Sequence, residues 1–176
     1  MLKSLRLRYP KTLITGLPGV GKTTLVLKVV DQIAPLQISG FYTSEVKTKG
    51  RRVGFELQSF GDESRLLAHT TIDGPHRVGK YGVDTKGFNE FLLGLDIQTS
   101  NARLIVIDEI GKMELFSRPF KDLIQNILKS DKQLLATVSL KGGGLIREIK
   151  QMPDIHMFEV TRRNRDHLPQ AILQMS

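Results

Sequence analysis

A glycine-rich run near the start of this chain leaves it few folds to choose from. Residues Gly16-Leu17-Pro18-Gly19-Val20-Gly21-Lys22-Thr23 meet the pattern G-x-x-x-x-G-K-[ST] at every fixed position. The glycines permit a backbone path that side chains would block, with N–H groups turned inward onto an anion. A helix opening near Lys22 adds unpaired N–H groups and the positive end of its dipole. The Lys22 ammonium is placed for the terminal phosphates, the Thr23 hydroxyl for a magnesium ion and Thr24 for the innermost phosphate. The plainer reading is a glycine turn before an ordinary helix, and context weakens it. Lys11–Thr15 is a β-prone run leading into the glycines, and Leu25, Val26, Val29, Val30 and Ile33 follow at helical spacing.

Past that helix, which reaches about Ala34 and is closed by Pro35, strand and helix signals alternate. Ile38–Val46 reads as a strand, Lys47-Thr48-Lys49-Gly50 as a hairpin turn, and Arg52–Gln58 as the returning strand with Val53, Phe55 and Leu57 on one face. Phe60–Asp84 is polar and glycine-dotted, with one short extended piece expected over Val78–Val83. Phe88–Leu95 reads as a short helix. Ser117 is an N-cap with Pro119 in the first turn, and Phe120, Leu123, Ile124, Ile127 and Leu128 make the following helix amphipathic. Leu134–Val138 reads as a buried strand. Lys141-Gly142-Gly143-Gly144 reads as a flexible loop before a short helix, and Met157–Thr161 as the last strand before a helical tail. Such alternation implies an α/β fold on a mostly parallel sheet with right-handed crossovers. A single domain over residues 1–176 is expected, with a basic extension over 1–10.

A second motif carries acid. Leu104-Ile105-Val106-Ile107 is fully apolar, as a strand buried on both faces requires, and it runs into Asp108-Glu109-Ile110-Gly111. With a phosphate loop upstream, this strand is expected to run beside the first and to bring Asp108 to Thr23 and its magnesium. Glu109 is then the candidate general base, or water-orienting group, for a water attacking the terminal phosphate. The bland alternative is a capping carboxylate without a chemical role. A carboxylate able to activate water suits hydrolysis, whereas a kinase shields its terminal phosphate from water until an acceptor binds.

Composition narrows the rest. The chain has no cysteine, which excludes disulfides, thiolate zinc sites and cysteine nucleophiles, and fits the reducing cytoplasm expected for it. The N-terminus lacks the apolar core of a secretory signal, and no stretch approaches the roughly 18 apolar residues of a membrane helix. A net charge of +8 permits nucleic-acid binding but equally suits an anionic small substrate. The second reading is favoured, because aromatics are only 6% and no aromatic–basic interleaving marks a base-stacking platform.

Ile107–Phe116 reads IDEIGKMELF; together with GLPGVGKTT at 16–24 and GFYTSEV at 40–46 it closely resembles the small nucleoside-triphosphatases first described from thermophiles. The vertebrate member of that family is called the cancer-related nucleoside-triphosphatase. Similar pieces recur at Arg52–Phe55, Val78–Asp84 and Asn164–Asp166, so the resemblance spans about residues 11–173. It implies a P-loop NTPase three-layer αβα core, RecA-like, with the hairpin as an insertion. It also implies magnesium-dependent hydrolysis of ATP, GTP, CTP and UTP to diphosphate and phosphate, with broad base tolerance. The nucleotide-binding segments carry over onto 16–23 and 104–111. The N-terminal extension and Arg162-Arg163 depart from the family pattern and bear on local charge only.

Lesser candidates remain. Asn164 and Arg165 follow the last predicted strand, where a base or ribose contact competes with a helix cap. Glu45 is either a water-orienting group or a hairpin charge. Arg118, Arg147 and Arg165 are candidate arginine fingers without a signature; without a finger, turnover is expected to be slow. The four histidines lack zinc-ligand spacing. Two rival functions stand: a kinase using 60–84 as an acceptor site or lid, and a nucleic-acid-binding switch. A monomer is the favoured state.

Overall fold

Apolar alternation along the chain becomes one long mixed sheet with helices on both faces. The computed structural model describes residues 5–33 and 38–175. Its elements run β1 (Leu5–Leu7), β2 (Lys11–Gly16), α1 (Lys22–Val30), β3 (Ile38–Thr48), β4 (Arg51–Ser59), β5 (Ser64–His69), β6 (Arg77–Val78), β7 (Tyr81–Val83) and α2 (Thr85–Leu95). They continue with β8 (Leu104–Ile110), a 3-10 turn over Glu114–Phe116, α3 (Arg118–Lys129), β9 (Gln133–Val138), α4 (Leu145–Lys150), β10 (His156–Val160), α5 (Leu168–Ile172) and β11 (Leu173–Met175). Pro35 lies outside the described residues.

The large sheet has nine strands in the order β10-β2-β9-β8-β3-β4-β5-β7-β6. From β10 to β3 every neighbouring pair is parallel. From β3 outward every pair is antiparallel. Strand β8 shows how the layers form: Ile105 and Ile107 join the core under α2, α3 and α4, while Leu104 and Val106 join the core under α1 and α5. Phe41 anchors the first core, with ring centroids 5.8 Å from Phe88, 5.9 Å from Phe91 and 6.2 Å from Phe120.

Several expectations need correcting. The acidic strand β8 does not run beside β2, because β9 lies between them. The 60–84 region is not one extended piece in a loop: it supplies β5, β6 and β7, which widen the hairpin into an antiparallel extension of the sheet. The hairpin turn is shorter than Lys47–Gly50, since Thr48 already pairs with Arg51 and only Lys49 and Gly50 turn the chain, both at positive φ. The tail is helical only to Ile172; β11 then pairs antiparallel with β1, the N-terminal extension, in a two-stranded sheet of their own. Among the described residues no helix is long and apolar enough to cross a membrane.

Candidate active site

The glycine run sits where β2 turns into α1. Gly21 is the helix N-cap at φ 107°, a left-handed value that suits glycine. Among the described residues no side chain caps α1, and no acid stands in its first turn. The ladder of α1 begins at Leu25, whose N–H donates to the Gly21 carbonyl at 3.0 Å. The first-turn donors are therefore left without a cap at the positive end of the helix dipole, an arrangement suited to an anion. Lys22 arches over the same loop, donating from Nζ to the carbonyls of Gly16 at 3.1 Å and Leu17 at 3.3 Å.

Asp108 comes to this loop across β9. Thr23 Oγ1 donates to Asp108 Oδ2 at 2.7 Å, and Thr137 Oγ1, at the end of β9, donates to Oδ1 at 2.6 Å. The Thr43 N–H on β3 donates to Oδ2 at 3.3 Å, and the Thr43 hydroxyl donates to the Asp108 carbonyl. Burial pushes the Asp108 carboxyl above its ordinary value, while the bonds from Thr137, Thr23 and Thr43 pull it back down. The Asp108–Glu109 peptide bond is cis.

Glu109 is only half-buried, and its Oε1 accepts from Ser139 Oγ at 2.7 Å. Glu114 lies behind it, 5% exposed, with Oε2 accepting from the Gly111 N–H at 3.2 Å. Burial, reinforced by the charges of Glu109 and Asp108, raises its carboxyl to about 8, so it is largely protonated at neutral pH.

Sequence reasoning missed Thr43, Thr137, Ser139 and Glu114. Glu114 had a signal, an acid in an otherwise apolar IDEIGKMELF run. The other three are short hydroxyls, Thr43 within β3 and Thr137 and Ser139 at the end of β9, a residue type common at any turn.

Arg165 and Asn164 divide. The Arg165 guanidinium packs against the loop, with Nη1 3.5 Å from the Val20 carbonyl. It lines a pocket of about 250 Å³ with Gly21, Thr24, Leu25, Lys28 and Asp166. Asn164 is spent on its own turn: Oδ1 accepts from the Thr161 N–H at 2.8 Å and Nδ2 donates to the Glu159 carbonyl at 2.9 Å. Glu45 is a hairpin charge, held by Arg52 at 2.9 Å and Lys47 at 3.2 Å. The Arg118 guanidinium is paired with Asp122 at 3.2 Å on α3.

A parallel sheet whose carboxyl ends gather a glycine-wrapped anion site, its lysine and a threonine–aspartate contact is that of a P-loop NTPase-like α/β protein. The comparisons with known proteins narrow this class. The family model described as NTPase matches residues 11–173, and the chain belongs to that family. The chain is 40% identical over 166 residues to the nucleoside-triphosphatase THEP1 of Thermotoga sp. (strain RQ2), covering 94% of each. It superimposes on the crystal structure of THEP1 from the hyperthermophile Aquifex aeolicus with a TM-score of 0.82 at 34% identity, covering 92% of this chain and 95% of that one. The solution structure of a human cancer-related nucleoside triphosphatase gives a TM-score of 0.76 at 34% identity, covering 92% and 94%.

Proposed function

We propose that this chain hydrolyses nucleoside triphosphates to diphosphate and phosphate, with magnesium as companion ion and little preference among bases. The observation that carries the reading is the 2.7 Å contact of Thr23 with Asp108, which joins the start of α1 to the end of β8 beside Lys22. Relatives that share most of the chain are called nucleoside-triphosphatases, which supports the reaction class.

The residues fit magnesium. The ion takes oxygen ligands, keeps several waters and draws others from substrate phosphates. Thr23 and Asp108 supply two such oxygens. Among the described residues no cluster of three or more carboxylate or imidazole groups makes an all-protein cage, in keeping with an ion that arrives with its nucleotide. When bound, the ion offsets charge on the β- and γ-phosphate oxygens.

The chain's own groups divide the remaining work. The loop N–H groups and the N-terminus of α1 hold the phosphates, and Lys22 exchanges the Gly16 and Leu17 carbonyls for phosphate oxygens. Glu109 accepts a proton from water as the water oxygen attacks the γ-phosphorus. The bond from that phosphorus to the β–γ bridging oxygen breaks, and the electron pair leaves with the nucleoside diphosphate. Arg165 offers a planar cation able to stack on any base, which accounts for base tolerance. Residues 60–84, which a kinase lid would need, supply three strands of the sheet, β5, β6 and β7.

Phosphate release from ATP, GTP, CTP and UTP, each with magnesium and with chelator, tests the reading. Release from all four within about tenfold, abolished by chelator, is expected. Release that survives chelation, or label passing faster to an acceptor than to water, overturns it.

A further inference from the structure

The end of β9 carries a hydroxyl that the reaction as described leaves unused. Ser139 follows the last residue of β9 and donates to Glu109 Oε1 at 2.7 Å. Because β9 separates β2 from β8, this hydroxyl reaches Glu109 from the strand that lies between it and the phosphate loop.

The backbone that bears the hydroxyl is itself held. Lys150 on α4 donates from Nζ to the Ser139 carbonyl at 2.6 Å and to the Leu140 carbonyl at 2.8 Å. Without that clamp, Ser139 would lead straight into Lys141-Gly142-Gly143-Gly144, a stretch with high backbone freedom. Gly111 packs against the same oxygen: a Cβ there would stand 3.1 Å from Glu109 Oε1, 3.3 Å from Ser139 Oγ and 3.0 Å from Glu114 Oε2. The Glu109 carboxylate is thus backed by the chain at Gly111 and held at one oxygen by Ser139. Its second oxygen has no protein partner among the described residues.

We propose that Ser139 and Lys150 are positioning residues for Glu109: the lysine fixes the 139–140 turn, and the serine hydroxyl so aimed holds one carboxylate oxygen and leaves the other for the attacking water. This rests on Glu109 being the proton acceptor, as proposed above. A glutamate side chain has several rotamers, and a displacement of about 1 Å at a reacting group costs up to about a hundredfold in rate. Both residues act through Glu109, so the effect is expected on kcat.

The test is steady-state ATP hydrolysis with magnesium by the full chain, with nucleotide affinity and melting temperature measured on each variant. Ser139→Ala should lower kcat about tenfold with KM and nucleotide affinity unchanged, and Ser139→Thr, which restores a hydroxyl, should recover most of it. Lys150→Met should lower kcat similarly, Lys150→Arg less. The Ser139→Ala/Lys150→Met double variant should be no worse than the poorer single one, because both act through one hydrogen bond. In a Glu109→Gln background, Ser139→Ala should change nothing further. If Glu109→Gln loses turnover while Ser139→Ala equals or exceeds the parent, positioning is refuted and the acceptor role stands. If Glu109→Gln itself turns over at the parental rate, the acceptor role fails and positioning falls with it.

Discussion

Two buried carboxyls sit within a few residues of each other, and burial raises both above their ordinary values. At Asp108 the hydroxyls of Thr23 and Thr137 and the Thr43 N–H bond the carboxyl and offset part of that rise. At Glu114 burial, reinforced by the charges of Glu109 and Asp108, outweighs its backbone N–H bonds, and its carboxyl stands at about 8 against an ordinary 4.5. The folded chain therefore keeps a proton that the unfolded chain releases over that interval. Stability falls as pH rises from about 4.5 to about 8 and is level beyond. Glu114→Gln should remove this dependence. Measured without nucleotide, its unfolding free energy should match the parent's near pH 5 and exceed it near pH 8 by an amount on the order of a few kcal/mol. Equal pH slopes in the two proteins would show that Glu114 is ionised in the fold. At the phosphate loop, Lys22→Ala should abolish turnover and weaken triphosphate binding, because two carbonyls and the incoming phosphates lose their shared cation. Nucleotide titration alongside phosphate release checks both halves.

At the scale of elements, the site depends on how strand ends and helix starts are fixed. Helix α3 begins at Ser117, which is fully buried; its Oγ accepts from the Phe120 N–H at 3.0 Å and donates to Asn89 Oδ1 on α2 at 2.6 Å. One hydroxyl thus caps one helix and ties it to another, just after the acidic run. Ser117→Ala should cost about 1–2 kcal/mol, read as a lower urea midpoint at unchanged slope. A neutral substitution would mean that water replaces both bonds. Strand β9 matters as much. Inserted between the lysine-bearing loop and the acidic strand, it brings Thr137 to Asp108 and Ser139 to Glu109.

Over the whole molecule, the two chain ends are sewn together away from the chemistry. Strand β1 pairs with β11 in register Leu5 to Met175 and Leu7 to Leu173, and the Arg8 N–H donates to the Ile172 carbonyl at 2.8 Å. Leu7 is 1% exposed in the core under α1 and α5. Tyr9 stacks on His156 with centroids 3.6 Å apart, covering the edge strand β10. Most of this ribbon lies outside the 11–173 match to the family model. Removing residues 1–8 should lower the melting temperature by several degrees, since burying a leucine alone stabilises by about 1.5–3 kcal/mol. Turnover per folded molecule should hold, because β1 enters β2 at the end opposite the phosphate loop. A lost rate at unchanged stability would instead tie the extension to the site.

What the amino-acid order determined by itself was local. The glycine run, the apolar strand ending in Asp108-Glu109, the spacing of Leu25, Val26, Val29 and Val30, and the Ser117 cap each state their geometry within a dozen residues, where backbone preference and apolar period decide. Strand β5 was illegible because Leu67 and Ala68 are adjacent buried residues that break the alternation a strand is read by. The tertiary structure alone decided the placement of β9 between β2 and β8. It alone brought Thr43 and Thr137 to Asp108, and Ser139 to Glu109, across separations of 65, 29 and 30 residues. Those contacts follow from sheet order, which depends on how both apolar faces of every strand are covered at once, and no short stretch of chain carries that information.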